Sequence, residues 1–252
     1  MRFIGLDLAW AAHNPTGAAV LNARGEVLDT ALLGDDAEVL AYVAAQAGPG
    51  AAIIGVDAPL TVPNLTGRRP AEAELGRVFA RFQAGAHPAN RRHLEEADGT
   101  IRGERLVEGL AALGFVHDPH LEVGAQVRRV LEVYPHPAMV SLFGLGRTLK
   151  YKNKGQGRPA LEAGWAALRA HLLTLEDARP PLRGMEERIP PTLDGLRGRA
   201  LKNLEDQVDA VVCAYVALYA WTWGAARTEI FGSLEEGYIL TPTLRERWKG
   251  EG

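Results

Sequence analysis

The sequence predicts an α/β fold built on a five-stranded mixed sheet with helices on both faces. The chain begins with a short apolar run at residues 2–8, which is typical of a central strand covered on both sides. Residues 52–57 form a second such run, and each run contains the pattern Gly-x-Asp. Between the runs lie two further strand patterns and one helical pattern, an order that lets the second run lie parallel to the first.

The first half of the sheet is predicted to be an antiparallel meander followed by a crossover. Residues 16–21 and 26–33 have strand patterns joined by a short turn, so they extend the first strand into a meander. The helix that follows is capped by Asp35-Asp36 and ends at residues 48–50. A right-handed crossover then places the strand at 53–57 parallel to the first, with both Gly-x-Asp motifs at one edge of the sheet.

The second half of the chain adds one more strand of the sheet and most of the helices. Residues 59–128 contain many arginines and no clear strand, so we expect a helical insertion above the sheet edge. The apolar run at 130–135 predicts a fifth strand, parallel to the first, and the helix at 202–223 has a broad apolar stripe. The other predicted elements are helices at 70–82, 103–113 and 161–175, a mobile surface connection at 179–199, and a final strand at 237–242.

The overall composition narrows the class of protein without indicating a function. The chain has 252 residues, of which 47% are hydrophobic, enough for one substantial core and one elaborated domain. Its net charge of -3 excludes a global basic field for nucleic acid. A single cysteine, Cys213, excludes an internal disulfide framework. We find neither a signal peptide nor an apolar run of membrane-spanning length, and therefore expect a soluble cytoplasmic protein with no membrane partner.

Five acidic residues interrupt or border the apolar patterns. Asp7 and Asp57 end strands, Glu132 lies within the fifth strand, and Asp206 and Asp209 lie one turn apart on the late helix. An ionised carboxylate among apolar residues is costly unless a positive group meets it. Two neighbouring strands that both end in aspartate bring two such charges together, and a metal ion is the simplest compensation.

These motifs resemble the RNase H-like fold of ribonuclease H, Holliday-junction resolvases and transposases, and more narrowly domain-of-unknown-function family 429, which is described as predicted RNase H-like nucleases. The resemblance runs from Phe3 to Pro242 and implies a single RNase H-like domain over 1–252 that contains the 59–128 insertion. Pro137-Ala138 stands where the family often has a glutamate, so that acid is missing here. The motifs that carry the resemblance are Gly5-Leu6-Asp7, Val56-Asp57-Ala58-Pro59-Leu60, Glu132-Val133-Tyr134-Pro135, the 152–158 loop and Asp206-x-x-Asp209-Ala210.

The acids and the resemblance together predict a divalent-metal-dependent phosphodiester hydrolase that acts on DNA or RNA. Mg²⁺ or Mn²⁺ prefers carboxylate oxygens, and clustered carboxylates hold two such ions about 3.5–4 Å apart. Asp7, on the central strand, is expected to bridge the ions. The other predicted metal ligands are Asp57, Asp206 and Asp209. Glu132 is predicted to bind metal or orient a water, and the predicted substrate-binding residues are Lys152, Lys154, Arg158, Arg68 and Arg69. The exposed insertion also offers a surface for a homodimer.

Each residue also has a purely structural interpretation. An aspartate after a glycine is usually a turn or cap residue, and Asp206 and Asp209 would be favourable in the first turns of any helix. Glu132 is equally consistent with a core glutamate paired with an arginine. A basic run such as residues 152–154 is more often a solvated loop than a phosphate site.

Two other functions remain compatible with the sequence. A non-catalytic binding protein would keep the fold and use the arginine-rich insertion for a partner. A phosphotransferase of the actin and sugar-kinase type resembles this chain in its Gly-x-Asp strands. That class normally has glycine-rich phosphate loops and a second domain of similar size, for which 252 residues leave no room.

Overall fold

The computed structural model of the protein describes residues 1–9, 14–152, 155 and 157–249. Its centre is a six-stranded mixed sheet with strand order β3-β2-β1-β4-β6-β5. β1 and β2, and β2 and β3, pair antiparallel, whereas β4 pairs parallel to both β1 and β6, and β5 pairs parallel to β6. The strands are β1 Arg2–Asp7, β2 Thr16–Asn22, β3 Val27–Leu33, β4 Ala52–Val56, β5 Val116–His117 and β6 Arg128–Glu132.

Seven α-helices, four three-residue 3-10 helices and a separate hairpin complete the described part of the chain. The helices are α1 Asp36–Ala47, α2 Pro70–Phe79, α3 Arg91–Leu94, α4 Arg102–Ala112, α5 Pro135–Phe143, α6 Arg158–Thr174 and α7 Gly198–Trp223. The hairpin joins β7 Thr228–Ser233 to β8 Gly237–Pro242. The cap predicted for α1 is confirmed, because the Asp35 side chain accepts a hydrogen bond from the amide nitrogen of Glu38 at 2.9 Å.

The predicted meander and the parallel crossover are confirmed, but the prediction of five strands is wrong. The sixth strand is β5, whose two residues lie inside the predicted insertion and are too few to show an alternating pattern. The predicted fifth strand is also too long. It ends at Glu132, and Pro135 begins α5, because a proline at the first helical position loses no helix hydrogen bond.

The prediction that the connection at 179–199 lies on the surface is wrong for its apolar residues. Leu182, Met185, Ile189 and Leu193 are buried in the core that lies between the sheet and α6–α7. The backbone also pairs with the meander, since the amide nitrogen of Arg183 donates to the carbonyl of Gly25 at 2.8 Å. The prolines and glycines of this segment set the direction of its backbone, but they do not keep the segment on the surface.

Helices cover both faces of the sheet, as predicted. Alternate strand residues divide between two cores: Phe3 and Ile53 pack under α6 and α7, whereas Ile4 and Ile54 pack under α1 and α4. α4 belongs to the predicted insertion, so part of that insertion is a layer of the main core. α2 packs instead on the β7–β8 hairpin.

α7 lies directly on the sheet because glycines line its path. A Cβ atom on Gly5 would overlap the carbonyl oxygen of Ala210, and one on Gly17 would overlap the carbonyl oxygen of Asp206. A Cβ on Gly55 would come within 2.5 Å of the carbonyl oxygen of Cys213. Only glycine leaves room for this approach of a helix backbone to three adjacent strands.

The same helix is long and apolar enough to cross a membrane, judged by length and composition. However, 78% of its apolar window is buried inside the protein. An apolar surface this extensive is what a central core helix requires, since such a helix meets other elements on most sides.

Candidate functional site

Two aspartates lie at one edge of the sheet, at the ends of neighbouring parallel strands. Asp7 is the last residue of β1, and Asp57 follows β4 directly. The amide nitrogen of Asp57 donates to the carbonyl oxygen of Leu6 at 2.8 Å, so the pairing of the strands continues to this edge. Because strand side chains alternate, each aspartate shares a face with the glycine two residues before it, which is the face covered by α7.

α7 brings the second pair of acids to the same place. Asp206 and Asp209 are 3% and 0% exposed, and Gly5 and Gly17 allow their helix to lie against the strand that carries Asp7. The charges of Asp209, Asp57 and Asp206 all act on Asp7. We call Asp7, Asp57, Asp206 and Asp209 the aspartate cluster.

Lysine and tyrosine side chains partner the helical pair. The ammonium group of Lys152 forms an ion pair with Asp209 Oδ2, and the hydroxyl of Tyr151 donates to Asp209 Oδ1 at 2.5 Å. Lys202 forms an ion pair with Asp206 one turn along α7. Lys152 was predicted to bind substrate. The structure places its ammonium group against the aspartate cluster, and its contact with substrate stays a prediction.

Burial and like charge raise the pKa values of the two strand aspartates. Burial is the largest cause at Asp7, followed by the charges of Asp209 and Asp57, and its pKa lies well above the ordinary value of 3.8. Burial also raises the pKa of Asp57 to about 7, although the positive charge of Lys152 acts in the opposite direction. Burial and the neighbouring carboxylates therefore favour the protonated form of both strand aspartates in the metal-free protein.

The cluster opens into a cavity of about 740 Å³, which is large enough for a nucleotide-sized group. Asp7, Asp57 and Asp206 contribute to its wall, and Tyr134 adds an aromatic surface. Basic and polar side chains also line it: His87, His136, Lys150, Lys152, Arg199, Lys202 and Asn203. Three of the four acids therefore lie on the wall of a solvent-accessible cavity that basic side chains also line.

Three observations test whether these residues fit Mg²⁺ or Mn²⁺. The donors are all carboxylate oxygens, which hard cations prefer. Asp7 Oδ2 is buried and has no hydrogen-bond partner among the described residues, and a lysine ammonium stands in as the cation at Asp209. As the side chains are placed, no group of three or more His, Cys, Asp or Glu residues within the described ranges meets the geometry of a metal site. The donor chemistry fits a divalent cation, provided that Lys152 gives up its position.

The raised pKa of Asp57 predicts how stability depends on pH in the metal-free protein. Between about pH 4 and pH 7 the folded protein holds a proton on Asp57 that the unfolded chain has lost, so the free energy of unfolding falls as pH rises. We expect urea unfolding in EDTA to show this fall, and Asp57→Asn to flatten it by about 1.4 kcal/mol per pH unit. Wild type and variant with parallel pH profiles would contradict the assignment.

Glu132 has a structural role and is not in the aspartate cluster. Its carboxylate accepts two hydrogen bonds from the guanidinium of Arg69, at 2.5 and 3.0 Å, and one from the amide of Leu60 at 2.8 Å. Arg69 also pairs with Glu72 at 2.6 Å. Glu132 was predicted to be catalytic, but its oxygens are occupied by this buried pairing.

Arg69 was predicted to bind substrate, and its burial excludes that role. The side chain is 1% exposed, and its donors are used by Glu72, Glu132 and the carbonyl oxygen of Thr61. A fully buried guanidinium does not contact a nucleic-acid backbone. Arg69 therefore fastens the segment after β4 to β6, close to the candidate site.

Removing Arg69 should strongly destabilise the protein. Arg69→Met leaves two buried carboxylates without their cation, and we expect the free energy of unfolding to drop by about 3–5 kcal/mol. Arg68→Met is the matched control, because Arg68 is exposed and its loss should change stability by less than about 0.5 kcal/mol. Denaturant unfolding of both variants checks the prediction, and equal midpoints would contradict it.

The remaining predicted substrate contacts have different outcomes. Arg158 donates to Glu162 at 2.6 Å and to the carbonyl oxygens of Leu196 and Leu193, so it fastens the 193–196 segment to α6, and its contact with substrate stays a prediction. Arg68 is exposed, and its contact with substrate stays a prediction. Lys154 lies outside the described residues.

Sequence reasoning missed several side chains that belong to the site. Tyr151 and Tyr134 contact or border the aspartate cluster, and Lys202 pairs with Asp206. Lys202 had a usable signal, since it stands four residues before an acid on the same helix face. Tyr151 had none, because its burial against Asp209 depends on a loop that comes from another part of the chain.

Comparison with known proteins adds a family but no activity. A family model described as "Protein of unknown function (DUF429)" matches residues 5–230. No curated protein and no solved structure matches the chain. The matched range includes the aspartate cluster, the long helix α7 and the residues that line the cavity.

Proposed function

Since the chain belongs to the DUF429 family, whose description assigns no activity, we propose from the site itself that the protein is a divalent-metal-dependent phosphodiester hydrolase with an RNase H-like fold. One observation carries this proposal: four aspartates from two strands and a distant helix lie together, three of them on the wall of an open cavity, and Asp7 Oδ2 has no hydrogen-bond partner among the described residues. Asp206 and Asp209 are paired with lysines. A protein that needed the acids only for stability would pair Asp7 as well, as it pairs Glu132 with Arg69.

The strand order supports the RNase H-like assignment in the proposal. The antiparallel meander β3-β2-β1, with β4 and β6 parallel to β1, is the arrangement expected from the resemblance. The additional strand β5 lies at the outer edge beside β6 and leaves the ends of β1 and β4 unchanged.

The proposed roles follow from where each side chain lies. Asp7, Asp57, Asp206 and Asp209 would hold Mg²⁺ or Mn²⁺. When bound, the ions would activate a water and stabilise the negative charge of the departing oxygen. Tyr151 orients Asp209 through its hydrogen bond, and burial on α7 fixes both helical carboxylates. Lys150, Arg199 and Lys202 lie on the cavity wall, where their positive charges would attract the phosphate groups of a nucleic-acid backbone.

The ion pair between Lys152 and Asp209 favours a second candidate, a non-catalytic binding protein. In that case Lys152 replaces a metal permanently, and the cavity binds a phosphate-containing ligand without cleaving it. Both candidates bind a phosphate-containing ligand, but only the hydrolase cleaves it.

The proposal is tested by metal binding and cleavage with the full chain. Calorimetric titration with Mn²⁺ should show binding, and single-stranded, double-stranded and branched DNA and RNA should be screened for cleavage with Mg²⁺, Mn²⁺ or EDTA. We expect cleavage of at least one substrate that EDTA abolishes. Nucleic-acid binding without metal binding or cleavage would instead support the second candidate.

A further inference from the structure

We propose that Lys152 is a built-in counter-ion that competes with the divalent cation for the aspartate cluster and so determines the metal affinity of the site. This inference rests on the proposed function, since it concerns the same carboxylates. It goes beyond that function because it assigns to one residue the control of cation binding.

The contacts of Lys152 place its charge among the acids. Its ammonium group forms an ion pair with Asp209 Oδ2, and its charge also acts on Asp7 and Asp57. The Asp209 side chain is 1% exposed, so this is an ion pair with one fully buried partner. Lys152 therefore provides the positive charge that a buried carboxylate requires in the metal-free protein.

The pairing of Asp209 leaves one of its oxygens exchangeable. Tyr151 donates to Oδ1, and Lys152 pairs with Oδ2. Tyr151 is fully buried and can keep its hydrogen bond while the partner of Oδ2 changes. The oxygen paired with Lys152 is the one that a cation would take.

The lysine partners satisfy the aspartate cluster incompletely, and Lys152 can leave it. Lys202 pairs with Asp206, and Lys152 pairs with Asp209. Asp7 Oδ2, by contrast, has no hydrogen-bond partner among the described side chains. The Lys152 side chain is 22% exposed and lines the cavity. Because a lysine ammonium sits on a flexible four-carbon stem, it can move into the cavity when a doubly charged ion arrives.

Competition has two consequences for the protein. Binding of a divalent cation must displace the ammonium group, so the apparent affinity is lower than that of an unobstructed site. In the absence of metal, the same ammonium group stabilises the fold. Lys152→Gln should therefore bind metal more tightly and be less stable without it.

The first experiment compares Mn²⁺ affinity by calorimetry in the wild type, Lys152→Gln and Lys249→Gln. Lys249 is the control, because it is exposed and does not line the cavity at the aspartate cluster. We expect Lys152→Gln to bind Mn²⁺ roughly tenfold or more tightly than wild type, and Lys249→Gln to change the affinity by less than about threefold. In EDTA, only Lys152→Gln should show a markedly lower melting temperature, and Mn²⁺ should raise that temperature more than in wild type.

The second experiment uses the wild-type protein and so does not depend on how a variant folds. Lysine acylation followed by mass spectrometry should show Lys152 labelling that rises several-fold when Mg²⁺ is added, as its ammonium leaves the carboxylates. Exposed Lys249 should be labelled equally with and without Mg²⁺.

The outcomes separate the inference from the proposed function. Wild type that binds Mn²⁺, with Lys152→Gln binding equally or more weakly and Lys152 labelling unchanged by Mg²⁺, overturns the inference and leaves the hydrolase proposal in place. Binding by neither protein at millimolar Mn²⁺ overturns the proposed function, and the inference with it. A variant that is less stable with and without metal, and no tighter in binding, shows that Lys152 has only a structural role.

Discussion

Replacement of Gly5 by alanine is expected to destabilise the protein by about 3 kcal/mol or more, one of the largest effects of any single substitution in this chain. The new Cβ would overlap the backbone of α7 at Ala210 and Ala214. Backbone atoms cannot rotate away as a flexible side chain can, so the whole helix would have to move. Because the helix carries Asp206 and Asp209, the shift would also change their positions relative to Asp7.

The glycines of this chain supply graded controls for that prediction. Gly55→Ala should cost less than Gly5→Ala, because its Cβ would approach Cys213 only to 2.5 Å. Gly76 lies within α2, and a Cβ atom added there would have no other atom within 4 Å. Gly76→Ala should therefore stabilise the protein by about 0.5–1 kcal/mol. Denaturant unfolding of the three variants gives the ranking, and a Gly5→Ala variant as stable as wild type would contradict the packing of α7.

Replacement of Asp7 by asparagine should abolish turnover and leave the fold intact. Asp7 is the strand carboxylate with an unpartnered buried oxygen, and the proposed hydrolase needs that oxygen to hold metal. We expect the rate of phosphodiester cleavage to fall about a thousandfold or more, which corresponds to roughly 4 kcal/mol of lost transition-state stabilisation. The free energy of unfolding of the metal-free protein should stay unchanged or rise, because a buried charge is removed.

The combination of the two measurements is the diagnostic result. Replacement of an aspartate that only stabilises the fold would lower both the stability and the activity of the protein, whereas replacement of a metal ligand lowers its activity alone. Glu108→Gln, at an exposed position on α4, is the control and should leave both unchanged. Asp7→Asn with half of the wild-type rate would contradict a role for Asp7 in hydrolysis.

Much of the fold could be predicted from the sequence because periodic patterns carry it. The meander, the crossover helix with its Asp35 cap, and the long helix at 202–223 were all predicted, each from several residues that agree. β5 and α5 were not predicted. β5 has only two residues, too few for a pattern. α5 begins at Pro135, and in a sequence a proline at this point equally indicates the end of a strand.

The spacing within the Gly-x-Asp motifs gives a further indication of the site, which the sequence analysis did not use. The spacing of two places glycine and aspartate on one face of a strand, so a helix that approaches over the glycine meets the aspartate at the edge. Gly5 and Gly55 both make such an approach possible. The identity of the approaching helix, and hence the meeting of Asp7 with Asp209, depends on how the sheet and α7 pack.

The sequence alone therefore determined the order of those strands and helices that have a clear periodic pattern, and it marked a set of acidic residues. The tertiary structure decided which of those acids are neutralised by arginine, as Glu132 is by Arg69, and which line the open cavity, as Asp7 and Asp57 do. It also placed Lys152 among the aspartates. The physical reason is that local patterns report which face of an element is apolar, whereas the partner of a buried charge comes from a distant segment and is defined only once the core has formed.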